Sequence, residues 1–174
     1  MPIQRSFQIR DWININCVGA SDLRPETVEA VFSFTVMWNF FEGKLCRDER
    51  DIRVAFRQIA RTYAQRVSLS DEIEFWSGRY LKDASFDPAF TDLSFRRDDG
   101  REHVEAVLRR EKTDSESRLL AVMFIVYRLR NNLFHGLKEI NSWNSQVPNL
   151  LNACQSLALI LTASGDYAFS GARV

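Results

Sequence analysis

Two histidines in 174 residues leave few places where a side chain could move a proton near neutral pH. His103 sits in a charged stretch and reads as an exposed, inert position. His135 closes the string Tyr127-Arg128-Leu129-Arg130-Asn131-Asn132-Leu133-Phe134-His135-Gly136. A guanidinium that binds anions, two carboxamides and an imidazole thus lie within six consecutive positions, the equipment for gripping a phosphate and transferring a proton beside it. Arg130 shares a helix face with Leu119, Met123, Val126 and Leu133, so it is expected in an apolar stripe, where an arginine needs a partner. His135 lies about 140° further round a continuous helix, so the two side chains converge only where the helix ends or bends. Gly136 permits such an ending, and Asn131 and Asn132 are poor choices for a helix interior.

The partner expected for Arg130 is Glu42. On an apolar helix, Val31, Phe32, Thr35, Trp38, Asn39, Glu42 and Leu45 form one stripe, which places a carboxylate among greasy neighbours. In one reading Glu42 orients Arg130, which holds an anion within reach of His135. In the other, Arg130, Glu42 and Asn39 satisfy one another inside the fold and His135 is only a cation at a helix end. A second basic feature is the row Arg50, Arg53, Arg57 and Arg61, opposite the apolar face Ile52, Phe56, Ile59, Tyr63 and Val67. It is either a solvated face paired with acids or a strip that tracks phosphates.

The elements that must position these groups are almost all helical. Pro25 opens a helix that runs to about Cys46, and the spacing predicts further helices over Asp51–Val67, Asp71–Leu81 with Ser70 as its cap, Arg101 to about Lys112, Ser115–Phe134 and Val147–Ala163. Ile3–Ile15 alternates in part, so residues 1–20 are expected as an extended arm or short strand. Residues 83–100 form a long connection, expected as a lid or partner-binding segment, and residues 164–174 as a frayed tail. The fold class is therefore an all-α antiparallel bundle of five or six helices, one domain over residues 1–174, centred on the two most apolar helices.

Composition bounds the partners. Twenty-three basic and 23 acidic residues cancel, which excludes binding of nucleic acid through bulk charge and leaves only a local basic site. Nineteen of the cations are arginines, the type suited to bidentate phosphate contacts. No apolar run reaches the ~20 residues of a membrane span, and no secretory leader pattern is present, so no membrane partner and a cytoplasmic location are expected. Cys17, Cys46 and Cys154 lie far apart with no paired spacing, so they are expected to be reduced, with no metal ligands and no cofactor site among them.

Arg130-Asn131-Asn132-Leu133-Phe134-His135-Gly136, preceded by an apolar helix, resembles the signature of the HEPN superfamily, and Trp38-Asn39-Phe40-Phe41-Glu42 resembles the acidic patch on the first long helix of several of its subfamilies. The two segments span about 12 residues. The resemblance implies a metal-independent endoribonuclease that cuts single-stranded RNA as a homodimer, its two motifs meeting across a two-fold axis. Arg130 would bind the scissile phosphate, His135 would serve in acid–base transfer, and Asn131 would hold the polar position after the arginine. Asn132 and the arginine row would add RNA contacts. A toxin–antitoxin setting with a cognate antitoxin protein, or phage defence, is the implied context. Other members are non-catalytic binding or assembly modules, which is the alternative for this chain.

Overall fold

A helix that is apolar all round is stable only when neighbours cover it on every side. In the computed structural model, which describes residues 9–83, 85–134 and 140–165, Ser115–Phe134 is that helix. It is the seventh of eight α-helices among the described residues: α1 Ile9–Asn16, α2 Pro25–Leu45, α3 Ile52–Tyr63, α4 Ser70–Tyr80, α5 Pro88–Thr91, α6 Arg101–Leu108, α7 Ser115–Phe134 and α8 Val147–Ser164. The all-α bundle expected from the sequence is the architecture observed. α2 packs along α8, and α3 and α6 flank α7. From Ala121 to Val126 every side chain of α7 is buried, and Leu129, Asn131 and Asn132 continue that burial to its last turn. Aromatic rings join the layers: Trp38 on α2 meets Tyr127 on α7, and Phe56 on α3 meets both Phe124 and Tyr127 edge-on.

Two expectations change. The chain before α2 is helical from Ile9 to Asn16, not extended, because Ile9, Trp12, Ile13 and Asn16 follow helical spacing, which outcompetes the short alternation around Ile13–Ile15. Residues 1–8 lie outside the described residues. Ser70 is the first residue of α4, and no side-chain bond caps that helix. Asp51 does cap α3, accepting from the Arg53 backbone N–H at 3.0 Å.

The long connection is a fastened strap. Leu81–Lys82 (β1) and Ser85–Phe86 (β2) form a minimal antiparallel pair with Leu81 opposite Phe86. Asp87 then caps α5, and Phe90 and Leu93 bury completely. Gly100 starts α6 in the left-handed region at φ 72°, with no room for a side chain beside the Phe124 ring. The segment is held to α7 by Arg128, whose Nε donates to the Leu93 carbonyl at 2.9 Å and whose Nη1 pairs with Asp99 Oδ2 at 2.7 Å. Gly165 ends α8 at φ 70°, and the expected tail beyond it lies outside the described residues.

Candidate functional site

The last turn of α7 carries the polar string, and its residues point in different directions. Because α7 is enclosed, its buried arginine is Arg128, almost wholly excluded from solvent and paired with Asp99. The sequence reading missed that pair, because a wheel with one apolar stripe assigns the core position to Arg130. Arg130 is instead half-buried on the side of α7 that faces α2. Its guanidinium carbon lies 5.8 Å from the centre of the Trp38 ring and 5.2 Å from that of Phe134, a position that favours a cation over two π faces. Nη1 donates to Asn131 Oδ1 at 3.2 Å, and Nε is buried without a partner among the described residues. A guanidinium has five N–H donors, so this arrangement leaves donors for an anion.

Glu42 and Arg130 form no ion pair among the described residues. The carboxylate accepts from the Trp38 indole at 2.8 Å, so Trp38 stands between them, its N–H on Glu42 and its ring under Arg130. A carboxylate on the indole N–H makes the ring more electron-rich, which strengthens its hold on the cation above. Asn39 turns away from this group, donating to the Thr35 carbonyl at 2.9 Å. The second sequence reading, in which Asn39, Glu42 and Arg130 satisfy one another, is therefore not the arrangement seen at Asn39.

Asn131 and Asn132 are both buried. Asn132 lies about 200° round the helix from Arg130, and so on its opposite side. Its Nδ2 donates to the Asp92 carbonyl at 2.8 Å, and its Oδ1 is buried with no donor. His135 lies outside the described residues. His103 is half-buried, not exposed: Nε2 meets the Ser117 carbonyl at 3.0 Å, which ties α6 to the start of α7.

The arginine row on α3 divides. Arg53 is bound to Asp51 through two bonds, at 2.8 and 2.9 Å, and lies 3.6 Å from Asp98; its guanidinium holds the Asp51 carboxyl below the usual carboxylate range. Arg61 reaches Glu116 at 3.8 Å across exposed surface. Arg50 and Arg57 are exposed. A basic concavity that the sequence reading did not single out, about 330 Å³ in volume, lies near the start of α7, where Arg66 and Arg118 line it with Ser70 and Ser115. Arg66 and Arg118 sit too far apart in sequence for any local pattern to join them. No described helix is long and apolar enough to cross a membrane.

Compared with known proteins, the chain matches no family model, no curated protein and no solved structure.

Proposed function

We propose that this chain is a HEPN-type, metal-independent endoribonuclease that cuts single-stranded RNA. The observation that carries the reading is Arg130: a half-buried guanidinium in the last turns of the central helix, held between two aromatic faces with Nε unpartnered among the described residues, five positions before His135 in the sequence. Arginine held in this way is pre-organised for a phosphate, because little side-chain freedom is lost when the anion arrives.

In the reaction, the 2′-hydroxyl of one nucleotide attacks the adjacent phosphorus. The P–O5′ bond breaks, the 2′-hydroxyl proton leaves with a base, and the 5′-oxygen takes a proton from an acid. The products are a 2′,3′-cyclic phosphate and a free 5′-hydroxyl. Arg130 neutralises charge on the non-bridging oxygens, and His135 transfers protons. Asn131 positions Arg130 through its bond to Nη1. Glu42 acts through Trp38, holding the indole that carries the guanidinium. The exposed arginines Arg50 and Arg57, with the concavity at Arg66 and Arg118, offer phosphate contacts away from the cut.

One copy supplies one arginine and one histidine. A homodimer joined through the end of α7 would repeat both in a shared groove, because an isologous contact presents the same patch twice. The exposed Phe134 ring beside Arg130 provides apolar surface for that contact. A cytoplasmic toxin–antitoxin or phage-defence role, with an antitoxin as protein partner, completes the proposal.

The test is incubation with single-stranded RNA in EDTA. Fragments ending in 2′,3′-cyclic phosphate, lost in both Arg130→Ala and His135→Ala, are expected. Intact RNA across varied sequences, or cleavage undiminished in His135→Ala, overturns the reading.

A further inference from the structure

The outer side of α2 is apolar where the chain does not cover it. From Ala30 to Phe41 the helix carries no charged residue, in a chain that is 26% charged. A helix that is apolar all round needs neighbours on every side, yet only the side that holds Ala30, Phe34, Trp38 and Phe41 is buried. On the outer side Val28, Phe32, Val36 and Phe40 recur every four residues. Val28 is 44% and Phe32 67% exposed, while Val36 and Phe40 are half-buried. Val36, Asn39, Phe40 and Gly43, with Lys44, line a mainly apolar depression of about 280 Å³. Positions i, i+3, i+4 and i+7 surround one hole on a helix surface, the receptor for a side chain of a facing helix. Gly43 deepens it. Its backbone is ordinary helix, and a Cβ there would meet nothing within 4 Å. Glycine weakens a helix relative to alanine, and nothing among the described residues requires it here, so the open space serves something outside the chain.

We propose that α2 pairs with α2 of a second copy, antiparallel about a two-fold axis at Val36, with Phe32 of each copy filling the hole of the other. The register follows from where knob and hole lie. Antiparallel pairing about Val36 sets opposite one another the positions equally far from it, so Phe32 falls over the hole at Phe40 of the partner subunit, and Val36 meets its own copy. Knob and hole thus sit symmetrically about one residue, which is the condition for an isologous contact and has no counterpart in a face shaped for an unrelated protein. The same register brings Glu29 beside the partner's Lys44 at both ends, on one flank of the stripe, so opposite charges meet at the rim. A standard interface takes about 800 Å² from each partner, more than one helix face supplies. The neighbouring α8 carries no charged residue along its 18 positions and exposes Leu151, so the layer offers further apolar surface. This face is distinct from the contact at the end of α7: Trp38, which carries Arg130, lies about 120° round α2 from Phe32. The α2 contact does not depend on the ribonuclease reading, and where both contacts form, the assembly is larger than a dimer.

The experiment is disulfide trapping and sedimentation of the full-length protein. With helix axes about 10 Å apart and Cα atoms about 2.3 Å from each axis, Cα atoms facing across the two-fold lie roughly 5.4 Å apart, within disulfide range. Val36→Cys, in a Cys17→Ser background that removes a half-buried native thiol, is expected to cross-link to itself under mild oxidation at micromolar concentration. The wild type is expected to sediment as a dimer or larger species. Phe32→Asp, at an exposed position, should weaken association at least tenfold. Gly43→Gln fills the hole from a position with open space around it, so it should weaken association equally while the unfolding midpoint stays unchanged or rises. A monomeric wild type, absence of the Val36→Cys cross-link, or association unchanged in either variant overturns the proposal. RNA cleavage by a protein that fails these tests leaves the nuclease reading standing, and a protein that passes them without cutting RNA loses only that reading.

Discussion

Arg128→Met removes one partner of a pair in which both side chains are shut away from water, 2% exposed for Arg128 and 7% for Asp99. The substitution keeps the volume and the apolar stem but deletes both guanidinium bonds. Asp99 is left as a buried charge with only the Arg96 backbone N–H at 3.0 Å, and the Leu93 carbonyl loses its donor. Breaking a buried pair by removing one member costs about 3–5 kcal/mol. For a chain of this size each kcal/mol moves the midpoint of thermal unfolding by about 2–4 °C, so the expected fall is roughly 6–20 °C. The assay is thermal and urea unfolding followed by far-ultraviolet circular dichroism, with the double variant Arg128→Met/Asp99→Leu alongside. Removing both charges relieves the stranded carboxylate and leaves unpaired backbone groups at about 1–3 kcal/mol each, so the double variant should be more stable than Arg128→Met. An Arg128→Met protein within about 1 kcal/mol of wild type, or a double variant as unstable as the sum of the singles, would refute the claim that this pair fastens the strap.

Gly100→Ala should destabilise the protein by about 1–2 kcal/mol for a left-handed alanine, plus about 1–3 kcal/mol because the new Cβ would overlap the Phe124 ring; the same unfolding assay checks it. Burial pushes the Cys46 thiol up to about 12 and Cys154 to about 11. Both should therefore resist alkylation at pH 8 in the folded protein and react in urea. Since each folded value lies above the unfolded 9.0, their contribution to stability is complete below pH 9 and is lost as pH rises toward 11–12, which urea titrations at pH 8 and 10.5 would detect. Glu42→Gln exchanges a charged acceptor on the Trp38 indole for a neutral one. Loss of about 1 kcal/mol of that bond should lower RNA cleavage roughly three- to tenfold with the unfolding midpoint nearly unchanged, and wild-type cleavage would remove Glu42 from the site.

The helices were legible because periodicity and stop signals agree along most of the chain. Pro25 at a helix start, the apolar run before Leu133 and Pro148 behind Val147 mark ends that the structure places within a residue or two. What sequence could not supply was which side of α7 faces what. With apolar residues on every side the wheel has no preferred face, so nothing local distinguished Arg128 from Arg130. The deciding residue, Asp99, sits 29 positions away in the long connection expected as a lid or partner-binding segment. The same blindness hid Trp38 as the link between Glu42 and Arg130. A carboxylate and an arginine on neighbouring helices suggest a direct pair, and only geometry shows an indole in the gap. Residues 1–20 misled for the opposite reason, since two periods competed in too few residues for either to dominate.

The position of the polar string follows from the same enclosure. A helix covered on all sides can present functional groups to solvent only where its cover stops, and on α7 that is the turn ending at Phe134, the first exposed residue after seventeen that are buried or half-buried. The polar side chains there are braced by different neighbours: Arg130 by Trp38 from α2, Asn132 by the Asp92 carbonyl from the strap. Arg128, one turn before Asn132, anchors that same strap through Leu93, the residue after Asp92. The buried ion pair therefore helps to fix the strap whose Asp92 carbonyl accepts from Asn132. Stability and the geometry of the α7 terminus are coupled at this point, so a change at Arg128 reaches Asn132 through the backbone of the strap.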